Sequence, residues 1–449
     1  MKPTTVDDFL DNLKFGRFHL RILLIGSIIM MVDGFETGVL GLSLPKLADH
    51  FEVERTTLTW VFSMQQVGMV IGAFFVAPLA DHFGRRPLVI LSLAATGVAS
   101  FAALLIDNLY AFAFWRLVAG IFASALIANL IAWTSEMSPV SKRAIMMTVL
   151  MVGTSGGALI VAATQAFIIE PFGWQGAFFL GALLPFCLLP FAWFFLVESP
   201  RFLAMRDPRD PRLLAFVNAL KPDGEPIVLA DTPPSSRSSE KTKLSAVKEL
   251  FGNNLAIPTL LLWSAFVVDY IFIIGVQWQT TIFYDLMKLS WQNIAVITAV
   301  EWIAGAVGMV WIGFIIGRHG VRIAAPVAYL LAAFAVIAVA LLAPGWGMYV
   351  ALALKSGLQC AGHACLALIA ASLYPTKSRA IGVGWAFGAG RIASILGPPY
   401  GAIALEYQWG VLGFFALMAI PLFLAALTVF VLVSKNGATM GKSEPMLAH

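Results

Sequence analysis

Seven formally charged side chains fall inside long apolar stretches of this 449-residue chain: Asp33, Glu36, Arg116, Asp269, Glu301, Lys355 and Arg391. The titratable His363 joins them. An ionisable group at the centre of a membrane helix costs about 2.5–3.5 kcal/mol on insertion scales, so it must face a cavity, find a partner or give up its charge. Asp33 and Glu36 are three residues apart and share one helix face. Two carboxylates that close in a low dielectric resist being ionised together, which suits one of them to carry a proton. The plainer reading is a salt bridge to arginine, and substrate binding can displace such a bridge. Arg116 offers a carboxylate two parallel hydrogen bonds and keeps its charge; it serves a substrate or a proton relay, or simply pairs with Glu36. Arg391 follows Gly388 and Gly390, whose missing side chains leave room for a ligand, so it is the expected carboxylate anchor. Lys355, Gln359 and His363 recur at helical spacing as one polar stripe. Gln277, Trp278 and Gln279 offer amides and an aromatic face that suit a planar ring, as do Trp302, Trp385 and Phe387.

The elements that must position these groups are membrane helices. The chain is 59% hydrophobic and only 12% charged, with a mean hydropathy of +0.85, whereas soluble domains carry roughly a quarter charged residues. Only helices or closed barrels satisfy their backbone groups in lipid, and the alternating pattern of a barrel is absent. Apolar runs of about 20 residues predict twelve spans, at about 20–44, 58–80, 87–107, 109–134, 144–169, 174–197, 255–282, 291–316, 323–343, 346–374, 380–404 and 409–433. The chain therefore reads as an N-terminal six-helix bundle (1–197), a Pro- and Ser-rich cytoplasmic linker (198–254), a C-terminal six-helix bundle (255–433) and a cytoplasmic tail (434–449). A short amphipathic helix is expected in the linker at Leu244–Phe251. With the N-terminus cytoplasmic, 23 of the 29 Lys and Arg lie on that side, three (Lys46, Arg55, Lys288) on the other and three within spans. That asymmetry places both termini in the cytoplasm of an inner-membrane protein. The first apolar run continues as a full span, so no cleavable leader is read.

The halves repeat. Pro139–Ile145 matches Pro375–Ile381, and Asp81–Arg86 matches Gly317–Arg322, both offset by 236 residues (139 to 375, 84 to 320). Parallel repeats of this kind are a transporter architecture. The same offset carries Asp33 onto Asp269 and Gln65 onto Glu301. It predicts a second acidic cluster, used for coupling or for a polar group of the substrate.

The segment Gly72–Arg86 is similar to the signature loop of the major facilitator superfamily, a small residue, then Asp, then Gly-Arg-Arg. Asp81 can accept at a helix N-terminus, Gly84 permits the tight turn, and Arg85 and Arg86 bond carbonyls and carboxylates. The resemblance implies the all-α major facilitator fold, with this cluster as a latch on one gate. Within that superfamily the chain resembles the aromatic acid:proton symporters. The resemblance rests on Asp33-Gly-Phe-Glu36, Arg116, Asn129–Glu136, Glu198-Ser-Pro-Arg201 and Gly384–Pro398. It implies proton coupling and substrate binding by Asp33, Glu36, Arg116 and Arg391. Glu36 stands where the family usually has a second Asp, and Gly317 where it usually keeps an Asp. The niacin and organic-ion transporters share the Gly16–His19 approach and the acidic pair.

The expected function is import of a small organic acid, most readily an aromatic carboxylate, with protons across the bilayer. A niacin-like acid, a dicarboxylate or an organic cation is the alternative. No Gly-xxxx-Gly-Lys-[Ser/Thr] loop is present, so an ion gradient supplies the work. No nucleophile–base motif, metal-ligand cluster or long output domain is read, so neither an enzyme nor a sensor is expected. Neither a cofactor nor a nucleic-acid partner is expected, and the protein is read as a monomer. Cys187, Cys360 and Cys365 lack metal-ligand spacing and read as small core residues.

Overall fold

The computed structural model describes residues 5–207, 209–220, 250–252, 255–375 and 378–440, and the regular structure in them is helical. In chain order the helices are α1 (Val6–Asp11), α2 (Arg17–His50), α3 (Arg55–Phe83), α4 (Arg85–Leu104), α5 (Leu109–Glu136), α6 (Arg143–Phe167), α7 (Ile169–Phe195), α8 (Pro200–Arg206), α9 (Pro211–Leu220), α10 (Ala256–Leu286), α11 (Trp291–His319), α12 (Val321–Leu342), α13 (Trp346–Leu373), α14 (Arg379–Ala393), α15 (Gly397–Glu406) and α16 (Gly410–Met440). Among the described residues, eleven helices are long and apolar enough to cross a membrane. The run expected as the eleventh of twelve spans is instead two helices, α14 and α15, joined by a 3-10 turn at Ser394–Leu396. Gly397 and Pro398 begin α15, and proline supplies no N–H to continue the ladder of the preceding helix.

Local sequence accounts for several ends. The Asn108 side chain caps α5 by accepting from the backbone N–H groups of Tyr110 and Ala111. Gly84 and Gly320, the glycine shared by the repeat, take φ of 102° and 75°, a region that favours glycine. The described start of the expected linker forms two helices, α8 and α9. Ser199 caps α8 and Pro200 opens it; Phe202, Leu203, Leu213 and Val217 then bury themselves with Val6 and Leu10 of α1. Asp11 fixes this collar by accepting from Arg143 (3.1 Å) and Arg201 (2.8 Å). Most of the expected helix at Leu244–Phe251 lies outside the described residues.

Packing separates two compact units. One gathers the described parts of Met1–Thr37, Gly68–Gly157 and Phe178–Arg237; the other gathers those of Gly38–Val67, Ala158–Ala177 and Ser238–His449. Their boundaries cut α2, α3, α6 and α7 partway along. In the first unit, Trp133 anchors an apolar core with Ile29, Met30, Leu93, Leu126 and Leu130, its indole donating to the Val197 carbonyl at 2.8 Å. In the second, one end of α3 meets one end of α10. Arg55 grips Asp285 with Nε and Nη2 (2.9 and 3.3 Å), while its Nη1 bonds Asp49 and the Pro45 carbonyl.

Candidate functional site

In the first unit, α2 buries both of its acids, Asp33 at 7% and Glu36 at 2% exposure. Glu36 accepts from Arg116 Nη2 at 2.6 Å and from the Ser100 hydroxyl at 2.8 Å. Arg116 is wholly buried and lies over the Phe178 ring, 5.1 Å from its centroid. Its Nε and Nη1 meet no hydrogen-bond acceptor among the described residues. Asp33 accepts from the Thr154 hydroxyl of α6 at 3.4 Å. The two acids share a helix face in sequence, yet their recorded bonds lead to different neighbours: Glu36 to α4 and α5, Asp33 to α6. Glycines make this possible. A Cβ on Gly68 or Gly72 would strike the α5 backbone at Leu117 or Ile121, and one on Gly157 would strike that of α2 at Met31. Helices in membranes approach this closely where side chains are missing.

In the second unit, the stripe on α13 serves two separate networks. Gln359 Nε2 donates to Asp269 Oδ1 at 2.9 Å, and His363 Nδ1 lies 2.6 Å from Asp269 Oδ2. Asp269 is fully buried, while the His363 side chain is 24% exposed. One turn and more away, Lys355 bonds Glu301 and also donates to Gln279 Oε1 at 3.0 Å, while Gln279 Nε2 closes the triangle on Glu301 at 2.5 Å. A Cβ on Gly308 would strike the Gly357 backbone. That contact lets α11 and α13 come close enough for Glu301 and Lys355 to meet.

Around His363 stand three aromatic rings: Tyr270 at 5.8 Å, Phe387 at 6.0 Å and Phe266 at 6.1 Å between centroids. The Arg391 guanidinium also lies over the Tyr270 ring, 6.0 Å from its centroid. It occupies the last turn of α14, where the carbonyl end of the helix dipole favours a cation. Gly390 is required beside it, because a Cβ there would run into the Tyr270 ring. An aromatic group flanked by a guanidinium and an imidazole can hold a planar ring bearing a carboxylate.

Other expected site residues lie elsewhere. Trp278 is fully buried and donates its indole N–H to the Pro398 carbonyl at 3.0 Å, so it fastens α10 to α15 and has no ring face to offer. Gln277 is half-buried and lies against Gly41 of α2; the amide that joins an ionic network is Gln279. Trp385 stacks on Trp263 at 5.9 Å. The cysteines are unbonded, and Cys187 is exposed on α7 rather than packed in a core. Sequence reasoning passed over Ser100, Thr154, Phe178, Phe266 and Tyr270. A ring or hydroxyl among so many in apolar helices carries no mark until its partner is known.

The loop expected to act as a latch is tied within its own unit. Arg85 binds Glu136 with Nε and Nη2 (3.1 and 2.9 Å) and Asp81 with Nη2 at 2.8 Å. Asp81 is mostly exposed, and it is Glu198 that takes the helix N-terminus. Its Oε1 accepts from the backbone N–H groups of Arg85 and Arg86 at 2.9 and 3.3 Å. Gly84 is doubly constrained, by its φ and because a Cβ would strike the Glu198 carboxylate. Arg86 bonds the Trp193 carbonyl at 2.7 Å and covers its ring.

Residues 26–364 match the family described as Major Facilitator Superfamily. The chain is 30% identical to a gallate transporter of Pseudomonas putida, over 95% of this chain and 94% of that protein. It is 28% identical to a 4-hydroxybenzoate transporter, PcaK, of Acinetobacter baylyi, over 96% and 95%. Among solved structures it is similar in fold to the inward-open xylose transporter XylE from E. coli, with a TM-score of 0.71 at 14% identity, covering 92% of this chain and 96% of that one.

Proposed function

The chain belongs to the Major Facilitator Superfamily, and on that premise we propose that this multi-pass membrane transporter imports a small aromatic carboxylate with protons. The observation that carries the reading is Arg391 in the last turn of α14, over the Tyr270 ring, with Tyr270 and Phe387 both against His363. A guanidinium binds a carboxylate through two parallel hydrogen bonds, and the rings supply flat apolar surface to the rest of the substrate. The relatives' names, a gallate and a 4-hydroxybenzoate transporter, point to the same substrate class.

Asp33 is the coupling acid. Glu36 is bound by Arg116 and Ser100, and the Asp33 carboxylate beside the Thr154 hydroxyl takes up and releases the proton. Arg116 tunes that step through the anion it shares with α2. Alternating access then moves substrate and proton together. The α14–α15 segment is the eleventh of twelve crossings, with both termini on the cytoplasmic side of the inner membrane. Asp81, Gly84, Arg85 and Arg86 belong to a cytoplasmic gate that is braced by Glu136 and Glu198. The Glu301–Lys355–Gln279 triangle supports the wall of the substrate site.

Counterflow in proteoliposomes tests the substrate class, with gallate, 4-hydroxybenzoate, nicotinate, succinate and tetraethylammonium offered in parallel. Exchange of the aromatic acids, abolished in Arg391→Gln, is expected; exchange of the cation alone overturns the reading. Asp33→Asn should still exchange acid between equal pools but lose much of its acid-stimulated net uptake.

A further inference from the structure

Two of the buried acids are paired with basic side chains: Glu36 with Arg116 and Glu301 with Lys355. Asp269 is different. Its charged neighbour is His363, the one side chain whose ordinary titration falls near neutral pH. The Asp269 carboxylate is fully buried and held from its other oxygen by Gln359, so its charge is matched only while the imidazole is protonated. The imidazole is partly exposed, which gives a proton a way in and out. The groups facing this pair are Tyr270 on its own helix α10, Tyr329 on α12, Cys360 and Cys365 on α13, and the mutually neutralised Lys355 and Glu301. Arg391 of α14 lies over the same Tyr270 ring.

We propose that Asp269 and His363 form a second proton-binding site, loaded when an aromatic carboxylate occupies Arg391. The proposal rests on the proton-symport reading above. A proton from water on the loading side adds to the imidazole, Nδ1–H remains on Asp269, and the proton returns to water on the opposite side. A substrate anion one aromatic ring away favours the imidazolium, and by reciprocity the imidazolium favours the anion. Nothing in this step is oxidised or reduced. Each monovalent anion then travels with two protons, one from Asp33 in the first unit and one from His363 in the second.

The test is the equilibrium accumulation of 4-hydroxybenzoate in proteoliposomes whose membrane potential is clamped at zero. With a gradient of about one pH unit, each co-transported proton contributes about tenfold to the ratio. Wild type should reach about 100-fold, and His363→Gln and Asp269→Asn about tenfold each. This limit is independent of turnover, so slow variants still report it. A wild-type ratio of about tenfold, or variants that keep the full ratio, overturns the second site while leaving symport intact. No accumulation in wild type under a pH gradient instead overturns the symport reading itself. For variants too slow to equilibrate, protons taken up on adding 4-hydroxybenzoate are counted with a pH dye in weakly buffered detergent solution. About one proton fewer than wild type supports the site, and an equal count overturns it.

Discussion

Both units bury a carboxylate from an apolar helix, yet they give it partners of different kinds. Glu36 in the first unit meets an arginine and a serine hydroxyl. Asp269 in the second meets an amide and an imidazole. The first arrangement has fixed charge: its ions are neutral as a pair, and removing either one leaves the other stranded in low dielectric. The second has charge that depends on a proton. Burial alone therefore does not distinguish these acids; the chemistry of the partner does. Glu301 has the same residue type as Glu36 and again a fixed cation in Lys355.

The largest expected effect breaks the fixed pair. Arg116→Met should cost about 3–5 kcal/mol by stranding Glu36, read as thermal unfolding in detergent, with uptake abolished. Glu36→Gln combined with Arg116→Met should recover most of that stability and none of the transport. A single variant no less stable than the double would show that the two residues do not act as a unit. Lys355→Met should lose less, about 1–3 kcal/mol, because Glu301 retains the Gln279 amide. Adding Glu301→Gln should restore stability there too.

A smaller effect addresses the aromatic group between His363 and Arg391. Gly390→Ala pushes the Tyr270 ring away from α14 and should raise the half-saturation concentration for 4-hydroxybenzoate about three- to tenfold, a binding loss of up to about 1.4 kcal/mol. Maximal uptake should change far less. If the half-saturation stays at the wild-type value, Tyr270 does not shape the site.

The smallest effect separates the two repeated loops. Glu198 caps α4 in the first, whereas at Gly317 in the second a Cβ would meet nothing within 4 Å. Glu198→Gln should therefore cost about 1 kcal/mol through the weakened cap, while Gly317→Asp should leave the unfolding temperature unchanged.

The sequence by itself determined the helical membrane class, because a backbone in lipid must satisfy its own hydrogen bonds and apolar length measures a crossing. It also singled out the buried charges, since each is costly enough to be rare, and the stripe of Lys355, Gln359 and His363, since helical spacing puts them in line. It did not divide that stripe. Asp33 and Glu36 are equivalent by spacing, and Gln277 and Gln279 are equivalent by type; which one is used depends on how closely a neighbouring helix approaches. That distance is decided by glycines such as Gly157, Gly308 and Gly390 meeting a backbone or a ring far away in the chain. The break between α14 and α15, and the placing of Arg391 at its edge, likewise needed the tertiary structure, because an apolar run reads the same whether the helix within it is continuous or interrupted. Charge in a membrane is visible from composition, but its partner, and hence whether it moves a proton or only holds a helix, is a matter of packing.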